Sequence, residues 1–191
     1  MVKARIVLSV LALLSPLAAQ ATLISSGSAV IQGTYSFDFE TSANAATTNS
    51  DIWWSQLTST SRELDRGRWV DLNTFQTGYN NSALTALGSV SFGSITEADL
   101  LGYVYSPDAI VGPPSGSLLD IGDVFAVHTV EGNYAKAVVT GYDRGSISAD
   151  YFNMHIDYEL YDGQRNVPEP TSLALVGLAI VGLSASRRRK S

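Results

Sequence analysis

Alternating apolar and polar positions run through the middle of the chain, and this is the pattern of half-buried β-strands. Residues 29–40 alternate without a break and predict one such strand. Further strand-like segments lie around Trp69 and over residues 52–57, 84–92, 103–105, 124–130, 134–142 and 148–161. No regular succession of strand and helix patterns is present, so a parallel α/β fold is excluded.

Turn-forming residues separate these segments. Glu131-Gly132-Asn133 lies between two apolar runs and predicts a hairpin, because Gly and Asn accept positive φ angles. Residues 41–51 and 106–117 predict loops, and residues 74–82 predict a turn-rich link. Ser94-Ile95-Thr96-Glu97 has the capping-box spacing and predicts one or two helical turns over residues 95–101. The fold class predicted is mainly β, a single antiparallel β-sandwich or barrel-like domain with one short helix.

The first residues of the chain follow a different pattern. Residues 1–21 begin with Lys3 and Arg5, continue with an apolar stretch, and end in Ala19-Gln20-Ala21. This three-part arrangement predicts a secretory signal peptide that is cleaved after Ala21, between small residues at Ala19 and Ala21. The sequence therefore predicts an exported β-rich domain over residues 22–162.

The last residues are organised around a proline motif and an apolar run. A polar linker and the motif Val167-Pro168-Glu169-Pro170 occupy residues 163–170. Residues 171–191 begin with an uncharged apolar run and close with Arg187, Arg188, Arg189 and Lys190. This predicts a short membrane helix, and by the positive-inside rule its basic end stays in the cytoplasm.

Residues 167–191 resemble a PEP-CTERM sorting signal, in which Val-Pro-Glu-Pro, a short apolar helix and an arginine cluster follow one another. The resemblance implies recognition by an exosortase, a membrane cysteine peptidase, after passage through the secretion machinery. It also implies a transient anchor in the inner membrane of a Gram-negative bacterium, then delivery to the cell surface or extracellular matrix. Proteins with this signal are associated with exopolysaccharide and biofilm.

A second resemblance concerns the predicted hairpin. Residues 121–139, together with Phe37-Asp38-Phe39-Glu40 and Asp51-Ile52-Trp53-Trp54, resemble an exported bacterial β-module of unassigned biochemical function. Similar hairpins occur loosely in surface haemophore-type β-proteins. The resemblance supports the β fold more than any activity.

Charge and cysteine content exclude several functions. Residues 22–167 contain six basic and seventeen acidic residues, a formal charge of −11. Such a surface argues against nucleic-acid binding, which needs clustered Lys and Arg. The sequence has no cysteine, so disulfides, thiolate zinc sites and iron–sulfur clusters are excluded.

Two histidines, His128 and His155, are candidates for a haem or metal site. The sequence favours two ordinary strand side chains, and it does not show whether the two rings share a site. No Gly-x-Ser-x-Gly elbow, P-loop, His-Glu-x-x-His motif or EF-hand loop is present.

Carboxylate pairs are interpreted as structural rather than catalytic. Asp38 with Glu40, and Asp157 with Glu159, share strand faces and are interpreted as solvated pairs rather than glycosidase carboxylates. Asp120 and Asp123 flank Gly122 and are interpreted as turn formers in preference to calcium ligands.

The aromatic residues offer the clearest indication of a ligand surface, above all Trp53, Trp54 and Trp69. Aromatic faces can stack on sugar rings, but they also fill cores. Trp53 and Trp54 are adjacent, so on a strand they point to opposite faces and at most one is in the core.

These observations predict an exported, non-enzymatic matrix protein that needs no cofactor or metal. The alternatives are a ligand-binding module for polysaccharide or haem, and a hydrolase.

Overall fold

Short strands joined by tight turns make up most of the structure, a computed structural model that describes residues 22–55, 61–144 and 152–163. These residues belong to one unit, Ala21–Gln164. The strands are β1 (Leu23–Ile31), β2 (Ser36–Asp38), β3 (Ala43–Asn44), β4 (Ile52–Ser55), β5 (Glu63–Arg66), β6 (Arg68–Asp71), β7 (Gln76–Tyr79), β8 (Ala83–Gly88), β9 (Ile110–Val111), β10 (Val124–His128), β11 (Tyr134–Arg144) and β12 (Phe152–Tyr161). One α-helix, α1, spans Glu97–Gly102 in the described part of the chain.

The strands form three antiparallel sheets. The first sheet has the order β1-β12-β11-β10-β8, and the second has the order β3-β2-β4-β5-β9. Strands β6 and β7 form a separate hairpin. In the first sheet, β1 pairs with β12, so that Ser28 lies opposite Asp157 and its hydroxyl donates to that carboxylate at 2.5 Å. The predicted hairpin is confirmed as β10 and β11, with Gly132 at a φ of 86° in the turn.

One apolar core lies between the two five-stranded sheets. From Met154 onward, every second residue of β12 is buried, as the period of a strand requires. The buried side chains of the first sheet include Val127, Met154, Ile156 and Leu160, and those of the second include Phe37, Ile52, Trp54 and Leu64. Because both sheets contribute to this core and neither closes on itself, the fold is a β-sandwich and not a barrel.

Helix α1 covers part of the outer face of the first sheet. Leu100 of the helix and Ile95 before it pack against Val124 and Ala126 of β10. Lys136 of β11 lies beneath them, is 3% exposed, and donates from Nζ to the Ile95 carbonyl at 2.8 Å. It also forms an ion pair with Glu159 at 3.0 Å, so the buried ammonium is compensated.

The prediction of one strand over residues 29–40 was wrong. Strand β1 ends at Ile31 and β2 begins at Ser36 in the other sheet, with Thr34 at a φ of 61° between them. The alternation continues across this turn because both strands face the same core. The prediction of a turn-rich link over residues 74–82 was also incomplete, since Gln76–Tyr79 forms β7 against β6.

The capping box lies two residues later than predicted. Thr96 caps α1, where its hydroxyl accepts from the Asp99 N–H and the Asp99 carboxylate accepts from the Thr96 N–H. Ser94 instead closes a 3₁₀ turn, with its hydroxyl donating to the Ser91 carbonyl at 2.8 Å. Residues 103–105 form no strand; a single bridge joins Ser106 to Leu84.

Among the described residues, no helix is both long and apolar enough to cross a bilayer. The predicted signal peptide at residues 1–21 and the predicted membrane helix at residues 171–191 lie outside the described residues.

Candidate functional site

The three tryptophans that were predicted to form one ligand surface lie in three different places. Trp54 is fully buried, and its Nε1–H donates to the Phe152 carbonyl at 2.8 Å. Trp54 is therefore a core residue and is removed from that surface. Trp53, next to it on β4, points away from the core and is half-buried. Trp69 packs on Gly78 of the paired strand, where an added Cβ would come within 2.7 Å of the indole ring.

Trp53 lines a surface cleft of about 560 Å³. One side of the cleft is the turn between β1 and β2, and the other side is β6 with the residue after it. Because side chains alternate along β6, Trp69 faces away from Arg68 and Val70, which line the cleft. The described residues that line the cleft are Thr34, Tyr35, Ser36, Ala46, Trp53, Arg68, Val70 and Leu72.

Hydrogen bonds to the backbone hold the two sides of the cleft together. The Ser36 hydroxyl donates to the Arg68 carbonyl at 2.8 Å and accepts from the Arg68 N–H at 3.2 Å. Further along β6, the Val70 N–H donates to the Ala46 carbonyl at 3.3 Å. The fold therefore fixes the spacing of the two sides.

Two arginines lie against aromatic rings at this surface. The Arg68 guanidinium is 4.5 Å from the centroid of the Trp53 ring, and that of Arg66 is 4.9 Å from the Tyr79 ring. The Trp53 and Tyr79 rings are 6.4 Å apart. Partial burial, followed by the neighbouring Asp65 carboxylate, raises the pKa of Tyr79. The aromatic groups and cations thus form one continuous cluster.

A second polar cluster contains Asp38, Glu40 and Asp51, one carboxylate oxygen of each lying within 4.8 Å of the others. The interpretation of Asp38 and Glu40 as a solvated pair was wrong, because Asp38 is only 5% exposed. Strand β2 ends at Asp38, and Glu40 then reaches the turn between β10 and β11. There its Oε1 accepts from the Thr129 hydroxyl at 2.8 Å and from the Asn133 amide at 3.0 Å.

Asp51 connects the two sheets at this cluster. It has no exposed surface, and its two carboxylate oxygens accept from the Phe39 and Val130 N–H groups, each at 2.9 Å. Burial, and then the neighbouring Glu40 carboxylate, raises the pKa of Asp51 to about 9. A protonated Asp51 can donate to Glu40 Oε2, a buried atom with no other hydrogen-bond partner in the described residues.

Oxygen ligands of this kind suit Ca²⁺. In this cluster, however, the two oxygens of Asp51 already accept backbone N–H groups, and one proton relieves the repulsion between the carboxylates. Burial and the Glu40 charge also raise the pKa of Glu131 nearby. The cluster is thus explained as a structural contact between the sheets.

The two histidines do not form a haem or metal pair. His128 lies opposite Tyr134, which lies opposite Tyr161. His155 is six positions before Tyr161 on β12, so the two histidines are roughly 20 Å apart at about 3.3 Å per residue. His155 instead contacts Asp143 at 3.1 Å, and the His128 ring lies 4.8 Å from the Tyr134 ring.

The remaining candidate carboxylates also have structural partners. Asp120 forms an ion pair with Arg62 at 2.8 Å. The Asp123 carboxylate accepts from the Asp120 N–H at 3.0 Å and from the Ser89 hydroxyl at 2.7 Å, as in a turn former. Asp157 is exposed as predicted, whereas Glu159 contacts Lys136.

Residues 166–190 match a family model described as the PEP-CTERM protein-sorting motif. The chain is therefore an exported protein with a C-terminal sorting signal. The signal, of the PEP-CTERM type, is consistent with an exosortase substrate that passes through the membrane, and it includes Val167-Pro168-Glu169-Pro170 and Arg187-Arg188-Arg189-Lys190. Searches of curated proteins and of solved structures found no match to the chain.

Proposed function

We propose that this protein is a non-enzymatic component of the bacterial surface or extracellular matrix, and that the cleft beside Trp53 binds exopolysaccharide. The sorting motif supports delivery to that location. The observation that carries the binding proposal is the cleft itself, in which Trp53 and the half-exposed Tyr35 present aromatic surface beside hydroxyl groups. Sugars have apolar ring faces and polar edges, which this combination complements.

The size and the composition of the cleft both fit binding. Its volume of about 560 Å³ lies within the range of small-ligand sites, roughly 300–1,000 Å³. The described lining residues include no His, Asp or Glu, which are the side chains most often used in acid–base catalysis. Because the fold fixes its two sides, little conformational freedom would be lost on binding.

Replacing Trp53 by alanine in the full chain is expected to weaken binding to the exopolysaccharide of the producing bacterium at least about tenfold, a loss of about 1.4 kcal/mol. Titration calorimetry with the purified polysaccharide measures the change. Phe75→Ala is the matched control, because Phe75 is an aromatic residue that is 86% exposed between β6 and β7 but does not line the cleft. Absence of saturable binding by the wild type, or equal losses in the two variants, would refute the proposal.

Removing residues 167–191 is expected to abolish processing and surface delivery, because the sorting signal lies in this segment. Cell fractionation and the electrophoretic mobility of the protein measure both effects. The full-length Trp53→Ala variant should be processed normally, which separates sorting from binding. Unchanged surface delivery of the truncated chain would contradict the role of the tail.

A further inference from the structure

The charges at the cleft differ from those of the domain around it. Residues 22–167 carry a formal charge of −11, yet Arg68 lies against the Trp53 ring and Arg66 lies against the neighbouring Tyr79 ring. Two other cations of the described residues are used structurally: Arg62 pairs with Asp120, and the buried Lys136 pairs with Glu159. Arg66 and Arg68 have no carboxylate within 4.0 Å in the described part of the chain.

Arg68 is oriented so that it can still bind an anion. Its guanidinium lies 4.5 Å from the Trp53 ring centroid and donates from Nη2 to the Thr77 hydroxyl at 3.3 Å. A guanidinium has five N–H donors in a rigid plane, so most of them remain available. Contact with an aromatic ring fixes the group and leaves its edge to bind a carboxylate in bidentate fashion.

Arg66 adds a second positive charge beside Arg68. Asp65 is next to Arg66 in the chain, and its Oδ1 accepts from the Arg66 backbone N–H at 2.8 Å. Two guanidinium groups against one carboxylate leave a local positive charge. The acidic surface elsewhere repels a polyanion, so an anionic ligand is directed towards this cluster.

Building on the proposed polysaccharide function, we infer that the cleft selects carboxylate-bearing sugars, that is, uronic acid residues. Trp53 contacts the sugar ring, while Arg68, with Arg66 beside it, binds the carboxylate. A neutral sugar lacks the group that would occupy the unused N–H donors of Arg68. An acidic sugar would therefore gain both the aromatic contact with Trp53 and the ionic contact with Arg68 in the same cleft.

Two probes and four variants test this inference with the full chain. The probes are alginate and polygalacturonate, each compared with its carboxyl-reduced, neutral form. We expect the acidic polymers to bind at least about tenfold more tightly than the neutral ones, with affinity falling as salt increases. Arg68→Gln should remove most of this preference, and Arg68→Lys should retain part of it, because lysine keeps the charge but not the planar donors.

Two further variants separate local from general effects. Arg144→Gln makes the same change in net charge at a position that does not line the cleft, and it should leave the preference nearly unchanged. Trp53→Ala should weaken binding of acidic and neutral polymers alike. Circular dichroism of each variant confirms that the fold is retained.

The possible failures are distinguishable. If the wild type binds acidic and neutral polymers equally and Trp53→Ala binds neither, the charge selection is wrong. The proposed polysaccharide function is then still supported. A preference for the acidic polymers that is equally reduced by Arg144→Gln would show general charge attraction and would also overturn the charge selection. Absence of binding to all four polymers and to native exopolysaccharide would overturn both proposals.

Discussion

Replacing Asp51 by alanine is expected to lower the free energy of unfolding by roughly 2–6 kcal/mol, which is about 1–3 kcal/mol for each buried N–H left without an acceptor. These two donors are the backbone N–H groups of Phe39 and Val130. Asp51→Asn keeps one acceptor and should cost less. Urea denaturation of the full chain measures the loss. Asp108→Ala changes an exposed carboxylate and should cost less than about 0.5 kcal/mol.

The same residue predicts how stability depends on pH. The folded-state pKa of Asp51, about 9, is above its ordinary value of 3.8, so folding takes up a proton at neutral pH. Its contribution is full below about pH 4 and is lost as pH rises towards 9, by at most about 1.4 kcal/mol per pH unit. Denaturation at pH 5, 7 and 9 tests this. The free energy of unfolding of Asp51→Asn should depend less on pH. If the wild type shows no steeper dependence than this variant, Asp51 does not hold a proton beside Glu40 in the folded state.

Replacing Trp54 by alanine is expected to lower the free energy of unfolding by about 3–5 kcal/mol, because a fully buried indole leaves a large cavity. Trp54→Phe should cost less, since it keeps an aromatic ring and loses the hydrogen bond to the Phe152 carbonyl. Thermal and urea denaturation measure both losses.

Trp53 provides the matched comparison on the same strand. Trp53→Ala should cost about 1 kcal/mol, because that ring is half-buried and faces the cleft. The two substitutions should therefore have different effects: loss of Trp54 mainly lowers stability, and loss of Trp53 mainly weakens binding. Equal destabilisation by the two alanine substitutions would show that the assignment of the two faces is wrong.

Strand periodicity was sufficient to predict much of the sandwich. The β10–β11 hairpin and the opposite faces of Trp53 and Trp54 follow from local rules about turns and alternation. The break between β1 and β2 was missed, because the alternation remains in phase when the chain passes from one sheet to the other. The capping box was misplaced since Ser94 and Thr96 both offer a hydroxyl three positions before an acidic residue.

The cleft and the acidic cluster could not be predicted, because they are formed by contacts between residues that are far apart in the sequence. Arg68 and Trp53 lie on β6 and β4, and the cleft between them exists because Ser36 fixes β6 beside β2. The acidic cluster joins Glu40 and Asp51 to a turn that comes about eighty positions later. In the sequence, the available signal for the cleft was the closeness of Arg66 and Arg68 to the adjacent pair Trp53 and Trp54.

The pairing of β1 with β12 has a consequence for export. Strand β1, the first of the described strands, occupies an edge of its sheet and has β12, the last of them to be synthesised, as its neighbour. A chain that crosses a membrane N-terminus first therefore delivers β1 long before its partner arrives. Completion of this sheet must wait until residue 161 has emerged on the far side. The topology thus leaves this sheet incomplete until late in a translocation that runs from the N-terminus.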